Sequence, residues 1–240
     1  MPSLLDIAEN WSLPNTQKQV RWASKYSIPF VTKSGGHSAW STIESNGIII
    51  DLSLYKGIEV YTESGRAIIK GSTLSKEVAV TLAEAGFFTA SGNGDTVGAI
   101  PYFLGGGCFI TSSITGPGSD QIISARVITA KGKLINVIDD TYPDLLYAIR
   151  GVGQHLGIVT QLVIKIHLLK NLGNDDGATW VGSFVFPLDR ACEVTSVMKN
   201  LMNNDQYAMA GLMMIMAPPR QEFHVWLLRL VTLGIPTMRH

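Results

Sequence analysis

The order of apolar and polar residues predicts short helices interleaved with strands. One helix is predicted to begin at Thr16, which forms a capping-box pattern with Gln19. A second contains Val78 and Leu82 on one face and ends before Gly86. Apolar runs rich in β-branched residues predict strands at residues 28–32, 47–52, 59–61, 67–70, 157–169, 179–186 and 209–216. Residues 122–138 are predicted to form a β-hairpin.

Two glycine-rich stretches interrupt this pattern. The first, residues 34–38, directly follows a predicted strand, and the second covers residues 91–118. So many glycines are not expected to form a stable helix or strand, so the second stretch is predicted to be loops packed against something flat or phosphorylated. Apolar residues interleaved among the glycines argue against a floppy, solvated loop.

A polar, glycine-rich segment at residues 170–177 is the predicted domain boundary. It separates a domain over residues 1–170 from a second region over residues 178–240. The second region has strand–helix–strand–strand order, which predicts an antiparallel sheet with a helix on one face. The predicted fold class is therefore α+β.

Composition narrows the function. The chain has 240 residues, 46% of them hydrophobic and 16% charged, which suffices for a packed core. Lys plus Arg and Asp plus Glu balance at 19 each, so neither nucleic acid nor a membrane surface is an expected partner. Cys108 and Cys192 lack metal-ligand spacing and are predicted to be small core residues. No metal site is predicted. The first residues lack a signal peptide, which slightly favours an intracellular location but leaves the compartment open.

The segment from Lys33 to Ser38 holds the most specific candidate chemistry. A Gly-Gly turn after a strand leaves backbone N–H groups uncovered, and such a turn can bind an anion such as a pyrophosphate. Lys33 adds positive charge before the turn, and His37 places a nucleophilic imidazole after it. Taken alone, so short a segment more often marks an ordinary glycine turn beside a surface histidine.

An ordered series of motifs resembles the PCMH-type FAD-binding domain of the vanillyl-alcohol-oxidase superfamily, in its berberine-bridge-enzyme-like branch of oxidases. The match covers residues 20–169. Its members lie at residues 34–38, 50–53, 92–98, 104–107, 118–121, 143–151 and 157–160. The resemblance implies FAD held between two α+β subdomains, followed by the start of an antiparallel-sheet substrate domain.

The resemblance also implies which residues lie along FAD. They come from both glycine-rich stretches and one later strand start: Lys33, Ser34, Gly35, Gly36, His37, Ser38, Gly92, Asn93, Gly94, Thr96, Val97, Gly98, Gly105, Gly106, Gly118, Asp120, Gly157, Ile158 and Val159. His37 falls where many relatives join the flavin 8-methyl carbon covalently. Gly94 stands where some relatives carry a second, cysteine link, so at most one covalent bond is expected.

The chain departs from the family in two respects. Ile100 and Pro101 replace a usual Gly-Gly pair, and complete relatives continue far beyond residue 240. The missing part usually carries the catalytic base, so none is nominated, and Tyr102, Tyr147 and His155 are interpreted as structural. The chain is therefore expected to be a fragment or a shortened version.

The leading hypothesis is an FAD-dependent oxidoreductase that transfers hydride from a small organic substrate to flavin N5. The alternative is a truncated or degenerate relative with weak or no FAD binding and no catalysis. A Rossmann-type enzyme is disfavoured, because no Gly-x-Gly-x-x-Gly lies between a strand and a helix with an acidic residue about 20 residues on. Substrate, electron acceptor and oligomeric state stay open.

Overall fold

A computed structural model describes residues 12–39, 42–43, 45–172, 179–203, 208–216 and 225–233. The chain divides into two compact units. The first comprises the described residues of Met1–Phe109 and Thr115–His167, and the second those of Ile110–Ile114 and Leu168–His240.

The described residues form helices and strands in mixed order. The helices are α1 (Leu13–Lys25), α2 (Ser75–Glu84), α3 (Ala99–Leu104), α4 (Ser112–Thr115), α5 (Pro143–Val152) and α6 (Ala191–Met202). The strands are β1 (Phe30–Lys33), β2 (Ile48–Asp51), β3 (Lys56–Tyr61), β4 (Arg66–Gly71), β5 (Phe87–Phe88), β6 (Ile122–Ile128), β7 (Leu134–Val137), β8 (Ile158–Lys165), β9 (His167–Leu168), β10 (Thr179–Pro187), β11 (Ala208–Met216) and β12 (Val225–Leu233). The predicted α+β class is confirmed.

A five-stranded antiparallel sheet is the centre of the first unit. Its strand order is β3-β4-β8-β6-β7. The predicted hairpin over residues 122–138 is confirmed, since β6 pairs antiparallel with β7 and Ile128 lies opposite Leu134. Buried side chains of β4, β6 and β8 share one apolar core with those of α2, α3 and α5, including Ile69, Leu82, Phe103 and Ile149. The helices therefore cover one face of the sheet.

A smaller layer carries the first glycine-rich stretch. Strands β1 and β2 pair in parallel, with Lys33 opposite Asp51. Helix α1, β2 and the ends of β6 and β8 share a second apolar cluster that contains Val20, Ile50 and Ile128. Strand β1 ends at Lys33, so this cluster holds the backbone from which the glycine turn departs.

The second unit contains an antiparallel sheet of order β10-β12-β11. Helix α6 connects β10 to β11 in the chain. The predicted strand–helix–strand–strand order agrees with these elements. The sequence also predicts a third strand from the alternation of Phe223, Val225 and Leu227; Phe223 lies outside the described residues, and β12 begins at Val225. The predicted boundary at residues 170–177 stays a prediction.

The cap of the first helix was predicted wrongly. Ser12 is the N-cap, because its hydroxyl accepts a hydrogen bond from the Asn15 N–H at 3.3 Å. Thr16 lies inside the helix and is buried, where its hydroxyl donates to the Ser12 carbonyl. Both residues suit a cap, so local spacing could not choose between them.

Two further expectations are corrected. The second glycine-rich stretch is not all loop, since α3 forms within it and buries Ala99, Ile100, Phe103 and Leu104. Those apolar side chains stabilise a short helix against the core despite the glycines that flank it. Cys108 and Cys192 are both exposed, not core residues. Cys108 lies beyond the end of α3, outside the apolar face that the helix buries.

Candidate functional site

The two glycine-rich stretches of the first unit come into direct contact. A Cβ placed on Gly35 would lie 2.4 Å from the Gly98 nitrogen and 2.5 Å from the Thr96 carbonyl oxygen. A Cβ on Gly98 would lie 2.4 Å from Ser34 Oγ and 2.9 Å from the Gly35 nitrogen. Such separations are below any real Cβ contact, so only glycine at both positions allows this approach.

His37 and Thr96 form a hydrogen bond at the edge of this contact. Nε2 of His37 lies 2.6 Å from Oγ1 of Thr96, although 59 residues separate them in the chain. Both side chains are exposed. The imidazole therefore lies against the second glycine stretch, on the solvent side of the Gly35–Gly98 contact.

Helix α2 anchors the second stretch. The Ser75 N–H donates to the Val97 carbonyl at 2.8 Å, and the Ala99 N–H donates to the Thr73 carbonyl at 2.9 Å. Gly98 is the N-cap of α3, which places Pro101 third in that helix. The first N–H groups of a helix have no partner within it, so Pro101 costs α3 no hydrogen bond. The departure at Pro101 is therefore compatible with the local backbone.

The backbone of the first turn is available to a ligand. None of the N–H groups of Gly35, Gly36 and His37 donates a hydrogen bond to another described residue. Gly36 has a φ of +73°, in the left-handed region that glycine adopts without strain. Successive free N–H groups in such a turn form a concave donor surface for an anion.

Lys33, the residue before this turn, forms an ion pair with Asp51. Its Nζ lies 2.9 Å from Oδ2 of Asp51, on the neighbouring parallel strand. Partial burial raises the pKa of Asp51, but hydrogen bonds from Lys33 and Ser53 together lower it further, so its pKa lies below the usual value. Lys33 thus connects the start of the turn to β2, and part of its charge is already balanced.

We expect Asp51→Asn to lower the free energy of unfolding at neutral pH by less than about 1 kcal/mol, because exposed ion pairs contribute this little. The folded-state pKa is depressed, so the contribution is present above the usual carboxyl pKa and is lost as the pH falls through the folded-state value. The difference between parent and variant should therefore vanish in acid. Urea unfolding at neutral and acidic pH measures it, and a difference that persists in acid would contradict the assignment.

The later part of the second glycine-rich stretch, residues 105–118, folds around Tyr102. The Gly118 N–H donates to the Gly107 carbonyl and the Ser119 N–H to the Gly106 carbonyl, each at 2.7 Å. A Cβ on Gly107 would lie 2.6 Å from the Tyr102 ring, and a Cβ on Gly92 or Gly118 would lie 3.1 Å from it. Residue 107 must therefore be glycine, because any Cβ there would collide with the Tyr102 ring.

Two buried hydroxyls beside this ring lack partners. Neither Tyr102 OH nor Ser75 Oγ makes a hydrogen bond among the described residues. Burial, with a smaller contribution from Cys108, raises the pKa of Tyr102 to about 12, so the phenol keeps its proton and remains a donor. An unpartnered buried hydroxyl is costly, which makes both groups candidates for a ligand contact. Sequence reasoning missed Ser75, and the only signal was its position at the start of a helix beside a glycine stretch.

The remaining predicted site residues are spread more widely. Asn93 and Ser38 are exposed, and a Cβ on Gly94 would lie 2.8 Å from Val97. Asp120 is exposed and faces the turn at Gly116. Gly105 is exposed, and its Cβ would meet only ordinary contacts.

The strand start at residues 157–159 packs against β6. Ile158 and Val159 are buried and lie opposite Ile128 and Val127 in the sheet. Gly157 has a φ of +136°, and a Cβ there would lie 2.7 Å from the Ile128 carbonyl oxygen. These contacts explain on structural grounds why residue 157 is glycine. Contact of Gly157, Ile158 and Val159 with the cofactor stays a prediction.

Comparison with known proteins identifies the family. The profile of the FAD binding domain matches residues 12–138, more than half of the chain. The chain belongs to this family. The matched range contains the Gly35–Gly98 contact, the hydrogen bond between His37 and Thr96, and both glycine-rich stretches.

Relatives of this chain are named as oxidases and FAD-linked oxidoreductases. The chain is 32% identical over 184 residues to (R)-6-hydroxynicotine oxidase of Paenarthrobacter nicotinovorans, covering 76% of this chain and 40% of that protein. It is 31% identical over 194 residues to the FAD-linked oxidoreductase afoF of Emericella nidulans, covering 78% and 39%. The chain therefore spans about two fifths of the length of these relatives.

Solved structures share the fold. The crystal structure of 6-hydroxy-D-nicotine oxidase from Arthrobacter nicotinovorans superposes with a TM-score of 0.80 at 24% identity, covering 98% of this chain and 54% of that one. Berberine-bridge-enzyme-like 1 of Physcomitrella patens gives 0.76 at 24% identity, covering 95% and 48%. The predicted PCMH-type, berberine-bridge-like fold is confirmed.

The first unit fits the FAD that the family binds. The N–H groups of residues 35–37 have no partner among the described residues, glycine at 35 and 98 allows the two stretches to touch, and the buried hydroxyls of Ser75 and Tyr102 lack partners there. No group of three or more His, Cys, Asp or Glu side chains suited to a metal ion occurs in the described part of the chain. Nor does any helix there have the length and apolar character needed to cross a membrane.

Proposed function

We propose that this chain is the flavin-binding part of an FAD-dependent oxidoreductase of the berberine-bridge-enzyme-like class. The hydrogen bond between His37 and Thr96, beside the Gly35–Gly98 contact, is the observation that carries the proposal. It brings a nucleophilic ring, uncovered backbone donors and a side-chain-free surface to one place. A binding module for a charged dinucleotide needs the last two, and a covalent flavoprotein needs all three.

Each part of this site has its own task. The N–H groups of Gly35, Gly36 and His37 bind the pyrophosphate, and Lys33 stiffens the approach to the turn through Asp51. Gly98 has no side chain, so the second glycine-rich stretch can approach the turn at Gly35 closely. The Tyr102 and Ser75 hydroxyls donate to polar groups of the cofactor that reach the glycine segments.

Bound FAD supplies a hydride acceptor, which would oxidise a small organic substrate at a C–H or C–N carbon. His37 adds a covalent link to the 8-methyl carbon, which holds the ring in place and raises its potential, favouring poor hydride donors. One relative is named for (R)-6-hydroxynicotine, a small organic molecule, and this chain's substrate is proposed only at that level of class.

The covalent link can be tested with His37→Ala. The parent chain, loaded with FAD and then denatured, should keep its yellow colour with the protein, because the imidazole is bonded to the flavin. His37→Ala should release essentially all flavin on denaturation while still binding FAD before it. Absorbance of the protein pellet and intact-protein mass measure the difference.

His155→Ala is the matched control, since His155 is another exposed histidine of the first unit and lies outside the glycine segments. It should keep the parent's covalent flavin. If His37→Ala retained bound flavin after denaturation, the assignment of the link to this residue would be wrong.

The alternative function is a degenerate relative that binds FAD weakly or not at all. It is favoured by Ile100 and Pro101, which stand where the family usually has a Gly-Gly pair, because Pro101 offers the cofactor no backbone N–H. A folded, colourless chain that does not take up FAD during titration would select this reading. Saturable binding with flavin absorbance in the visible would reject it.

A further inference from the structure

We propose that Thr96 is the positioning residue that holds His37 by Nε2 and so presents Nδ1 as the nitrogen that bonds to the flavin. This inference rests on the proposed covalent function and deepens it. It specifies a second residue that attachment requires.

The geometry assigns one ring nitrogen to the chain. Nε2 of His37 is engaged at 2.6 Å by Thr96 Oγ1. Nδ1 makes no hydrogen bond within the described residues. An imidazole has only two nitrogens, so engagement of one leaves the other as the available nucleophile.

The backbone at Thr96 makes the hydrogen bond a rigid restraint. The Val97 carbonyl accepts from Ser75 at the start of α2, and the Thr96 carbonyl oxygen lies 2.5 Å from the position of a Gly35 Cβ. Thr96 is thus flanked by an anchor on one side and by the first turn on the other. As a β-branched residue it also has few rotamers, so its hydroxyl has little freedom to leave the imidazole.

The tautomer follows from the chemistry. Attack through Nδ1 requires a lone pair there, so the proton of the neutral ring lies on Nε2 and is donated to Thr96 Oγ1. This hydrogen bond strengthens as positive charge develops on the ring. The attachment makes a bond from Nδ1 to the 8-methyl carbon and breaks one methyl C–H bond. The methyl proton and the Nε2 proton are lost, and the released electron pair passes through the isoalloxazine to dioxygen, giving hydrogen peroxide.

A hydroxyl suits every stage of this reaction. Before attack, Thr96 Oγ1 accepts from Nε2–H. After the proton is lost, the same hydroxyl rotates its hydrogen and donates to the Nε2 lone pair. Valine has nearly the same shape but can do neither, whereas serine can do both. The pair Thr96→Val and Thr96→Ser therefore isolates the hydrogen bond from the packing.

The experiment follows covalent attachment directly. The chain and both variants are incubated with FAD in air, and samples are denatured over time to separate covalent from released flavin. We expect attachment to slow by about 100-fold in Thr96→Val, because a misplaced reacting group typically costs that much. Thr96→Ser should stay within about threefold of the parent. Attachment is expressed as the covalent share of the FAD bound before denaturation, which separates it from any change in affinity.

The linked peptide identifies the bonded nitrogen. Proteolysis of the parent and NMR of the isolated histidyl-flavin peptide should show substitution at Nδ1. Substitution at Nε2, or unchanged attachment in Thr96→Val, would overturn this inference and leave the proposed covalent function standing. FAD bound only non-covalently by the parent would overturn the inference and the covalent link but not flavin binding. No FAD bound by the parent would overturn the proposed function as well.

Discussion

Gly35→Ala should lower the affinity for FAD by at least about 100-fold, equivalent to roughly 2.7 kcal/mol of binding free energy. The added methyl would lie 2.4 Å from the Gly98 nitrogen and 2.5 Å from the Thr96 carbonyl oxygen. Both neighbours are backbone atoms of an anchored segment, so they cannot swing aside as a flexible side chain would. The two glycine stretches must separate, which displaces the turn and breaks the hydrogen bond between His37 and Thr96.

The same variant should also lose about 1–3 kcal/mol of unfolding free energy, the usual cost of adding a methyl group to a filled space. Titration with FAD, followed by quenching of flavin fluorescence, measures affinity, and urea unfolding measures stability. Both quantities are needed, since a folded variant that has lost FAD separates the binding defect from general unfolding.

Gly151→Ala is the matched control for this comparison. A Cβ there meets no atom within 4 Å, so the added methyl creates no steric contact. FAD affinity should stay close to that of the parent. If Gly35→Ala bound FAD as well as Gly151→Ala did, close contact between the two stretches would not be what FAD binding requires.

Phe103→Ala should destabilise the chain by about 3–5 kcal/mol, the largest stability effect expected of a single substitution here. Phe103 is 0% exposed and lies in α3, within the main core of the first unit. Its ring packs edge-on against Tyr102, with centroids 5.5 Å apart, and its Cδ1 lies 3.1 Å from the position of a Gly118 Cβ. Truncation leaves a cavity that rigid β-sheet neighbours cannot fill.

The loss should be read from urea or thermal unfolding of the chain without FAD. Tyr147→Ala provides the matched control, because Tyr147 is an aromatic residue on α5 that is 82% exposed. Its removal should change the free energy of unfolding by less than about 0.5 kcal/mol, as is usual for surface positions. Similar losses in both variants would show that α3 does not hold the core as described.

A loss of FAD affinity in Phe103→Ala is expected only as a consequence of altered packing. The side chain supports Tyr102 and the Gly118 turn but is itself fully buried. Excess FAD should therefore recover part of the lost stability through binding to the folded state. An FAD affinity equal to the parent's would show that this support does not reach the flavin site.

Local pattern predicted most elements of the fold. The hairpin of β6 and β7 needs only two β-branched runs and a Lys-Gly-Lys turn, and Gly86 ends α2 with the predicted left-handed φ of 81°. Where two local signals competed, sequence reasoning failed. Ser12 and Thr16 both suit a cap, and only packing of Thr16 in the interior decided between them.

The glycine-rich stretch at residues 91–118 shows a different limit. Its composition argues against a helix, yet α3 forms because four apolar side chains gain more by burial than the flanking glycines cost. That balance depends on a core supplied by β4, β6 and β8, strands that lie elsewhere in the chain. The sequence of residues 91–118 therefore does not by itself show that α3 will be buried.

The residues proposed to bind FAD could be chosen from motifs along the chain, because a glycine turn after a strand has a local cause and a recognisable spacing. The contact between the two glycine-rich stretches could not be predicted from those motifs. His37 and Thr96 are 59 residues apart, and periodicity carries no information about contacts at that range. Folding of β1 and β2 on one side, and of α2 on the other, brings Gly35 against Gly98. Which ring nitrogen of His37 meets Thr96 is likewise set by the tertiary structure, where Nε2 lies 2.6 Å from Thr96 Oγ1.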